Sequence, residues 1–544
     1  MAKKITSILL SIFLVISLFS GCSTTEEEID LIYPFSGDIN SYDPQVASTT
    51  DEFLIIENCF EGLVRCDDEG NITAGCASSW DVSDDGLTYT FYLQKGLKWY
   101  IFNSVKERMG EDYDPEITAN DFVFALQRAV DPDTDCPLYS TVSCIKNASK
   151  INAGKKDVST LGVEAIDEYT LQITLSYADE DFLSTLSTAV AMPCNEEFFE
   201  ATNGRYGLDL MYTMFNGQFI VTNELEASYI LQRNDEYAGP SPAIAGDLTL
   251  NIVDADESLS EDLIDGYYDA AYLRGYEITD ISDNSGITLE PYSDITWVLA
   301  FNSSSDGILS NKDARHAISL AVSDIDYEEF TYLTEATGFV PPSCTANGES
   351  YTEQHKDITE DRDEDEATEL WKEAIEEEDI YTIEITLIAP ETMEDVAKAL
   401  LQGIQSTIGA VSIVDETAVD ISIILETMTE SEVKSTVASG DYDFALYPCE
   451  ATSSSPISYL QTFSTSNVTG FDSTAFDSLL EDATEADSSE LIKAIKKCEK
   501  SLLKTYCYSP LFFESNYYAQ AKGVTGVQFH AGTGRVSFIY ADRS

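Results

Sequence analysis

Aspartate and glutamate number 98 in this 544-residue chain, against 30 lysines and arginines and three histidines. Carboxylates are therefore its commonest reactive groups. A pair of them can cleave glycosides, but at this density chance pairs occur everywhere and spacing carries no argument. Histidine is the commoner general base. His316, His355 and His530 stand far apart, and no G-x-S-x-G, H-E-x-x-H or Walker loop occurs. The eleven cysteines contain no C-x-x-C pair, so a zinc site is not expected. Asp361, Asp363 and Asp365 alternate as in a calcium loop, but the glycine and closing glutamate of that loop are missing. No metal or cofactor is expected, and the chain does not read as an enzyme.

The formal net charge of −68 excludes nucleic acid as a partner, because phosphate binding needs a basic patch. It favours cationic solutes at long range, subject to screening by salt. Hydrophobic residues make up 43%, enough for a large core spread over two or three domains.

The first residues speak to compartment. Met1–Lys4 is basic, Ile5–Phe19 is apolar, and Leu18-Phe19-Ser20-Gly21-Cys22 follows. An apolar run this short is a secretory signal rather than a membrane span. Its end resembles a bacterial lipoprotein signal, which implies lipid on Cys22 after loss of residues 1–21. A plain signal peptide with an incidental cysteine is the alternative. No later segment is long and apolar enough to be transmembrane, so the expectation is an extracytoplasmic body anchored at one end. Disulfides are permitted there. Cys59 with Cys66, or Cys136 with Cys144, would close local loops, and free buried cysteines are the other reading.

The remaining pattern must position any site, and it is mixed α/β. Leu87–Leu93, Thr170–Leu175 and Tyr381–Ile388 alternate as strands. Thr118–Ala129 reads as a helix with Thr118 as N-cap, Asp121 as its capping-box partner and Pro132 as its stop. Asp313–Val322, Met393–Gln405 and Glu490–Leu503 are further helices, with a strand expected to start at Val411–Ile413. Residues 351–379 are acidic and read as a solvated loop leading into a helix, with Trp371 and Ile375 turned inward. Interleaved strands and helices without a catalytic motif suit a binding protein that closes on a hinge.

Several ordered segments carry a resemblance. They are Asn40-Ser41-Tyr42-Asp43-Pro44, Asn58-Cys59-Phe60-Glu61-Gly62-Leu63, Ala77–Trp99, Ile117–Ala129, Leu231–Tyr237, Asp313–Ile318 and Gly440–Leu446. Together they resemble the family 5 extracellular solute-binding proteins, the oligopeptide, dipeptide and nickel receptors of ABC importers. The resemblance implies a type II periplasmic-binding-protein-like α/β fold (cluster C), with two lobes around a hinged cleft and an extra domain inserted in the first. The first lobe would comprise residues 33–62, 188–297 and 511–544. The inserted domain would be 63–187, the second lobe 298–510, and residues 22–32 a tether.

It also implies a monomer that captures a short peptide and delivers it to a permease and ATPase complex. A non-peptide solute (sugar, opine or metal chelate), or a sensory role without import, is the alternative. Peptide-binding members hold the ligand backbone as an added strand and meet its α-ammonium with a carboxylate. Here the pattern departs, since Thr452 falls where the aspartate is expected and Glu450 lies two positions away. The expected ligand-binding residues are therefore Asn40, Tyr42, Asn216, Phe219, Tyr292, Glu450 and Thr452.

Overall fold

The computed structural model describes residues 29–543 except 38, 68–70, 180–181, 254–257, 282–285, 306, 485, 487 and 532–534. The expected signal segment and Cys22 lie outside the described residues. Strand β1 (Leu31–Phe35) leads to helix α1 (Thr50–Cys59). β2 (Ala77–Val82) and β3 (Thr88–Leu93) form a hairpin, then come α2 (Ala119–Val130) and the hairpin β4 (Val163–Asp167) and β5 (Thr170–Thr174). β6 (Phe219–Glu224), β7 (Ser228–Arg233), β8 (Asp247–Ile252) and β9 (Ala270–Leu273) precede the long β10 (Thr288–Phe301). Next are α3 (Lys312–Ala321), β11 (Leu333–Glu335), α4 (Glu364–Glu378), β12 (Thr382–Pro390), α5 (Glu394–Thr407) and β13 (Asp420–Met428). α6 (Glu430–Ser439), β14 (Phe444–Glu450), α7 (Pro456–Thr465), α8 (Thr474–Thr484), α9 (Ser488–Leu503) and β15 (Tyr508–Gln520) complete the numbered elements.

Three sheets carry the architecture, ordered β1-β8-β7-β6, β2-β3-β5-β4, and β9-β15-β10-β14-β12-β13 with β11 added on β15. β12 runs parallel to both β13 and β14, and α5 and α6 supply the crossovers that parallel pairing requires. Buried apolar side chains separate in the same way. One cluster draws on residues 31–273 and 518–541, and the others lie between Ile295 and Phe512. β10 and β15 pass from one side to the other, paired from Thr288↔Gln520 to Ala300↔Tyr508 with a register break between Tyr292 and Ile295. Such a break bends and twists a ribbon locally. The positions of the sequence-based boundaries, 297/298 and 510/511, lie inside these two paired strands.

Local chemistry explains most elements. Asp121 accepts from both the backbone N–H and the hydroxyl of Thr118, and α2 ends before Pro132. Trp371 and Ile375 are fully buried on α4 beneath its acidic face. The expected strand at Val411–Ile413 is corrected. Ile413–Val414 only pairs back on Thr417–Ala418, and the long strand is β13, nine residues in register with β12. Cys59, Cys66, Cys136 and Cys144 all carry free thiols, so neither local disulfide forms.

Two buried ionic groups tie distant segments together. Arg128 on α2 donates to both carboxylate oxygens of Asp43 and to Gln45, with its guanidinium over Phe199 and Tyr206. Thus the Asp43-Pro44 turn is pinned by the inserted domain. At the crossing strands, Arg274 just after β9 donates to both oxygens of the fully buried Glu514 on β15, at 2.8 and 2.7 Å. Its remaining arm donates to Glu430 at the start of α6, at 2.9 Å. Trp297 Nε1 donates to Glu514 Oε2 at 2.7 Å. First lobe, crossing strand and second lobe therefore share one guanidinium.

Breaking a buried pair leaves an uncompensated charge. Arg128→Met should cost about 3–5 kcal/mol in urea unfolding, and Asp43→Asn added to it should cost much less than the two singles combined. Burial alone would raise the Glu430 pKa, but Arg274 and Lys434 outweigh it and bring it down to about 2. A depressed carboxylate contributes stability above its unfolded pKa of about 4.5 and loses it as pH falls toward the folded value. Unfolding midpoints should therefore drop between pH 4.5 and 2, by up to about 3 kcal/mol from this group. Glu430→Gln should flatten that part of the pH profile; an unchanged slope would refute the assignment.

Candidate functional site

The two lobes meet at the C-terminal end of β14. Glu450, its last residue, lies opposite Ile295 on β10, just past the register break. The next residue is held to the same strand, since Ala451 N–H donates to the Asp294 carbonyl at 2.9 Å. Asp294 is itself fully buried, and its carboxylate accepts from the Tyr272 hydroxyl at 2.5 Å and from Asn516. The strand end that presents Glu450 is thus mounted on the crossing ribbon. Across the seam, Thr50 at the start of α1 donates its hydroxyl to Glu450 Oε1 at 3.4 Å.

A single carboxylate shapes the first-lobe wall facing it. Glu52 is 1% exposed. Its Oε1 accepts from Asn40 and Ser41 N–H, and its Oε2 from Ser48 and Thr49 N–H. Four donors that a loop would otherwise leave to water are satisfied by one side chain, and the loop 40–49 is drawn onto the α1 N-terminus. Thr49 completes a capping box with Glu52. That T-x-x-E pattern ahead of an apolar run was readable in the sequence, and it is the signal that would have found this wall.

The expected site residues divide by position. Glu450 lies at the seam, and Thr452 is half-buried two residues on, in the turn before α7. Asn40 is exposed on the loop that Glu52 gathers. Tyr42 follows it and is 3% exposed, with its hydroxyl donating to Glu224 Oε1 at 2.5 Å and its ring edge-on to Phe215. Burial and the Glu224 charge hold that phenol well above its ordinary pKa. Tyr292 is half-buried on β10 at the register break, 5.3 Å from the Tyr518 ring.

Asn216 and Phe219 are engaged within the first lobe. The Asn216 side chain accepts from Glu61 N–H and donates to the Glu61 carbonyl, at 3.1 and 2.9 Å. Beside it, a Cβ on Gly217 would come within 2.4 Å of the Cys59 backbone, so the close approach needs glycine. Phe219 is fully buried in the first-lobe cluster.

A second seam joins the inserted domain to the second lobe. Ser140 and Ser458 share a hydrogen bond of 2.9 Å. Ser143 and Tyr177 both donate to the carbonyl of Thr484, the last residue of α8, at 3.0 and 3.4 Å. A helix-end carbonyl without an intrahelical partner is thereby satisfied from the facing domain.

Known proteins share this fold. The model of the bacterial extracellular solute-binding proteins, family 5 Middle, matches residues 71–471. A dipeptide-binding protein of Lactococcus lactis is 23% identical over 538 residues, spanning 94% of this chain and 93% of its own. The dipeptide-binding protein DppE of Bacillus subtilis is 24% identical over 519 residues, spanning 93% and 90%. The structure of Listeria monocytogenes OppA bound to peptide superposes with a TM-score of 0.74 at 23% identity, covering 95% of this chain and 99% of that one. The family model covers most of the chain, including the crossing strand β10 and the strand β14 that ends in Glu450, and this chain belongs to the family 5 extracellular solute-binding proteins.

Proposed function

We propose that this chain is the receptor of a bacterial ABC importer, holding a short peptide between its lobes and presenting it to the permease. The observation that carries this reading is Glu450. It stands on a strand end fixed to the crossing ribbon, facing the first lobe at Thr50. A carboxylate placed there can meet a ligand ammonium while the ribbon beneath it bends, which couples capture to closure. Two relatives that span nearly the same length are named as dipeptide-binding proteins, which favours a peptide over other solutes. Asn40, Tyr42, Tyr292 and Thr452 would complete the wall. Residues 33–62, 188–297 and 511–544 would move as one body against 298–510. Lipid on Cys22 would hold the receptor at the outer face of the cytoplasmic membrane, where a permease can collect from it.

Pools of di- to hexapeptides should raise the melting temperature of residues 23–544, because a ligand that binds only the folded state stabilises it. N-acetylation should abolish the shift. Glu450→Gln should weaken free-amine peptides by roughly 10- to 100-fold in calorimetry, the worth of one charge-assisted hydrogen bond. A shift with sugars or amino acids but none with peptides would replace the peptide by another solute class. For the anchor, Cys22→Ala should move the protein from the detergent to the aqueous phase in Triton X-114 partitioning. Retention in the detergent phase would refute lipidation at Cys22.

A further inference from the structure

The acidity of the chain lapses on the inserted domain, just ahead of β4. From Cys136 to Lys156 there is no carboxylate, and Lys146, Lys150, Lys155 and Lys156 fall together at its end. Backbone bonds gather them. Lys146 donates its N–H to the Thr174 carbonyl on β5 and accepts from Gly162 N–H, at 2.9 and 2.8 Å. A Cβ on Gly162 would come within 2.7 Å of the Lys146 Cβ and 2.6 Å of the Thr174 carbonyl, so this seat needs glycine. The Lys150 carbonyl accepts from Lys155 and Lys156 N–H, at 2.7 and 3.1 Å, which folds those two back toward it. Lys156 Nζ donates to Asn147 Oδ1 at 2.6 Å. All four lysines are exposed, and among the described residues none is ion-paired. Asp157, the next residue, turns its carboxylate to Ser159. Like charges held together without a counter-charge repel, and an anion relieves the repulsion.

A cavity of about 550 Å³ stands at this cluster, with Lys146, Lys150, Asn147, Ser149, Ser176 and Tyr177 in its wall and no carboxylate. Four other cavities of the described residues each have two or more carboxylates in their walls. The Lys146 and Lys150 ammonium groups and the Ser149 and Ser176 hydroxyls make no hydrogen bond among the described residues. We propose that this cavity binds a compact phosphate anion: the two lysines supply the charge, and the two serines donate to its oxygens. Lysine meets phosphate as a point charge. Donors from four residues suit a tetrahedral group, whose oxygens point in several directions, better than a planar carboxylate. A polymer or an anionic membrane would extend past the lysines onto the acidic surface and be repelled there. The site is independent of Glu450 and of the peptide reading. It shares Tyr177 with the second seam, where that hydroxyl meets the Thr484 carbonyl, so its occupant sits beside the contact between inserted domain and second lobe.

The test titrates pyrophosphate into residues 23–544 in calorimetry at constant ionic strength, with citrate as a carboxylate of similar charge. Wild type should bind pyrophosphate at one site, about tenfold or more tighter than citrate. Lys146→Gln and Lys150→Gln should each weaken it by roughly tenfold, the loss of one charge-assisted hydrogen bond. Lys493→Gln, which removes a surface charge on α9, should leave it unchanged. Circular dichroism melts establish that each variant is folded. No binding of pyrophosphate, equal binding of citrate, or an equal loss in all three variants would overturn the proposal. Binding to phosphatidylglycerol vesicles that the two cavity variants lose, with none of free pyrophosphate, would also overturn it and would make the partner a membrane surface.

Discussion

Arg274 is the interaction on which the rest of the molecule depends. A guanidinium offers a planar fork to one carboxylate and a further arm to another. Here the fork lies on Glu514, inside the crossing strand β15, and the arm reaches Glu430 on the first turn of a second-lobe helix. Arg274 itself belongs to the first lobe. Lysine could not replace it, since one ammonium has no such fixed geometry. The cost of burying these charges is large, and a well-packed apolar core would serve stability at least as well. What the ionic arrangement adds is position. It sets α6, and through α6 the end of β14, relative to the ribbon on which the lobes turn.

The same logic accounts for the other buried charges. Asp43–Arg128 fixes the first loop to the inserted domain, and Glu52 gathers that loop onto α1. Both lie just ahead of the wall that faces Glu450. These loops bear the candidate ligand contacts, and a loop held only by apolar packing would not keep backbone donors aligned. Each carboxylate is therefore buried where its acceptors are needed. Few of the chain's many acids are used this way; the face of α4, for example, is simply solvated above Trp371.

Much of the fold was legible in the residues because local signals agreed with tertiary ones. Thr118 with Asp121 and Pro132 bounded α2 at both ends, and alternation marked β3 and β5 to within a residue. The region after α5 was not legible. Ile413–Val414 looks like a strand start, yet it only turns back on itself, and the true strand bears Asp420, Ser422 and Glu426 among its apolar residues. As the last strand of its sheet it needs only one buried face, so its pattern is weak. Glu450 was readable as a candidate because a family pattern failed there. The joining of Arg274 to Glu430 and Glu514 was not, because these residues lie 156 and 240 positions from it and carry no motif. Their relation exists only once β9, α6 and β15 have been brought together. Asn216 and Phe219 were named from their position in a motif, and in the structure they flank the close approach of Gly217 to α1, Asn216 bonded to the Glu61 backbone and Phe219 buried in the first-lobe cluster.

The acidity of the whole chain then takes on a definite relation to the site. A surface with a formal charge of −68 concentrates cations of every kind near the cleft, within a Debye length of about 8 Å at physiological salt. Attraction of that sort does not distinguish a peptide from a polyamine or a metal ion. Discrimination has to come from groups that are desolvated together, where geometry and sign both count. A carboxylate alone at the seam would accept any cation that fits. A carboxylate at the seam becomes selective only when the ligand must also satisfy contacts on both lobes. Long-range attraction and short-range geometry are thus complementary: the first raises the encounter rate, and the second reserves closure for ligands that touch both lobes.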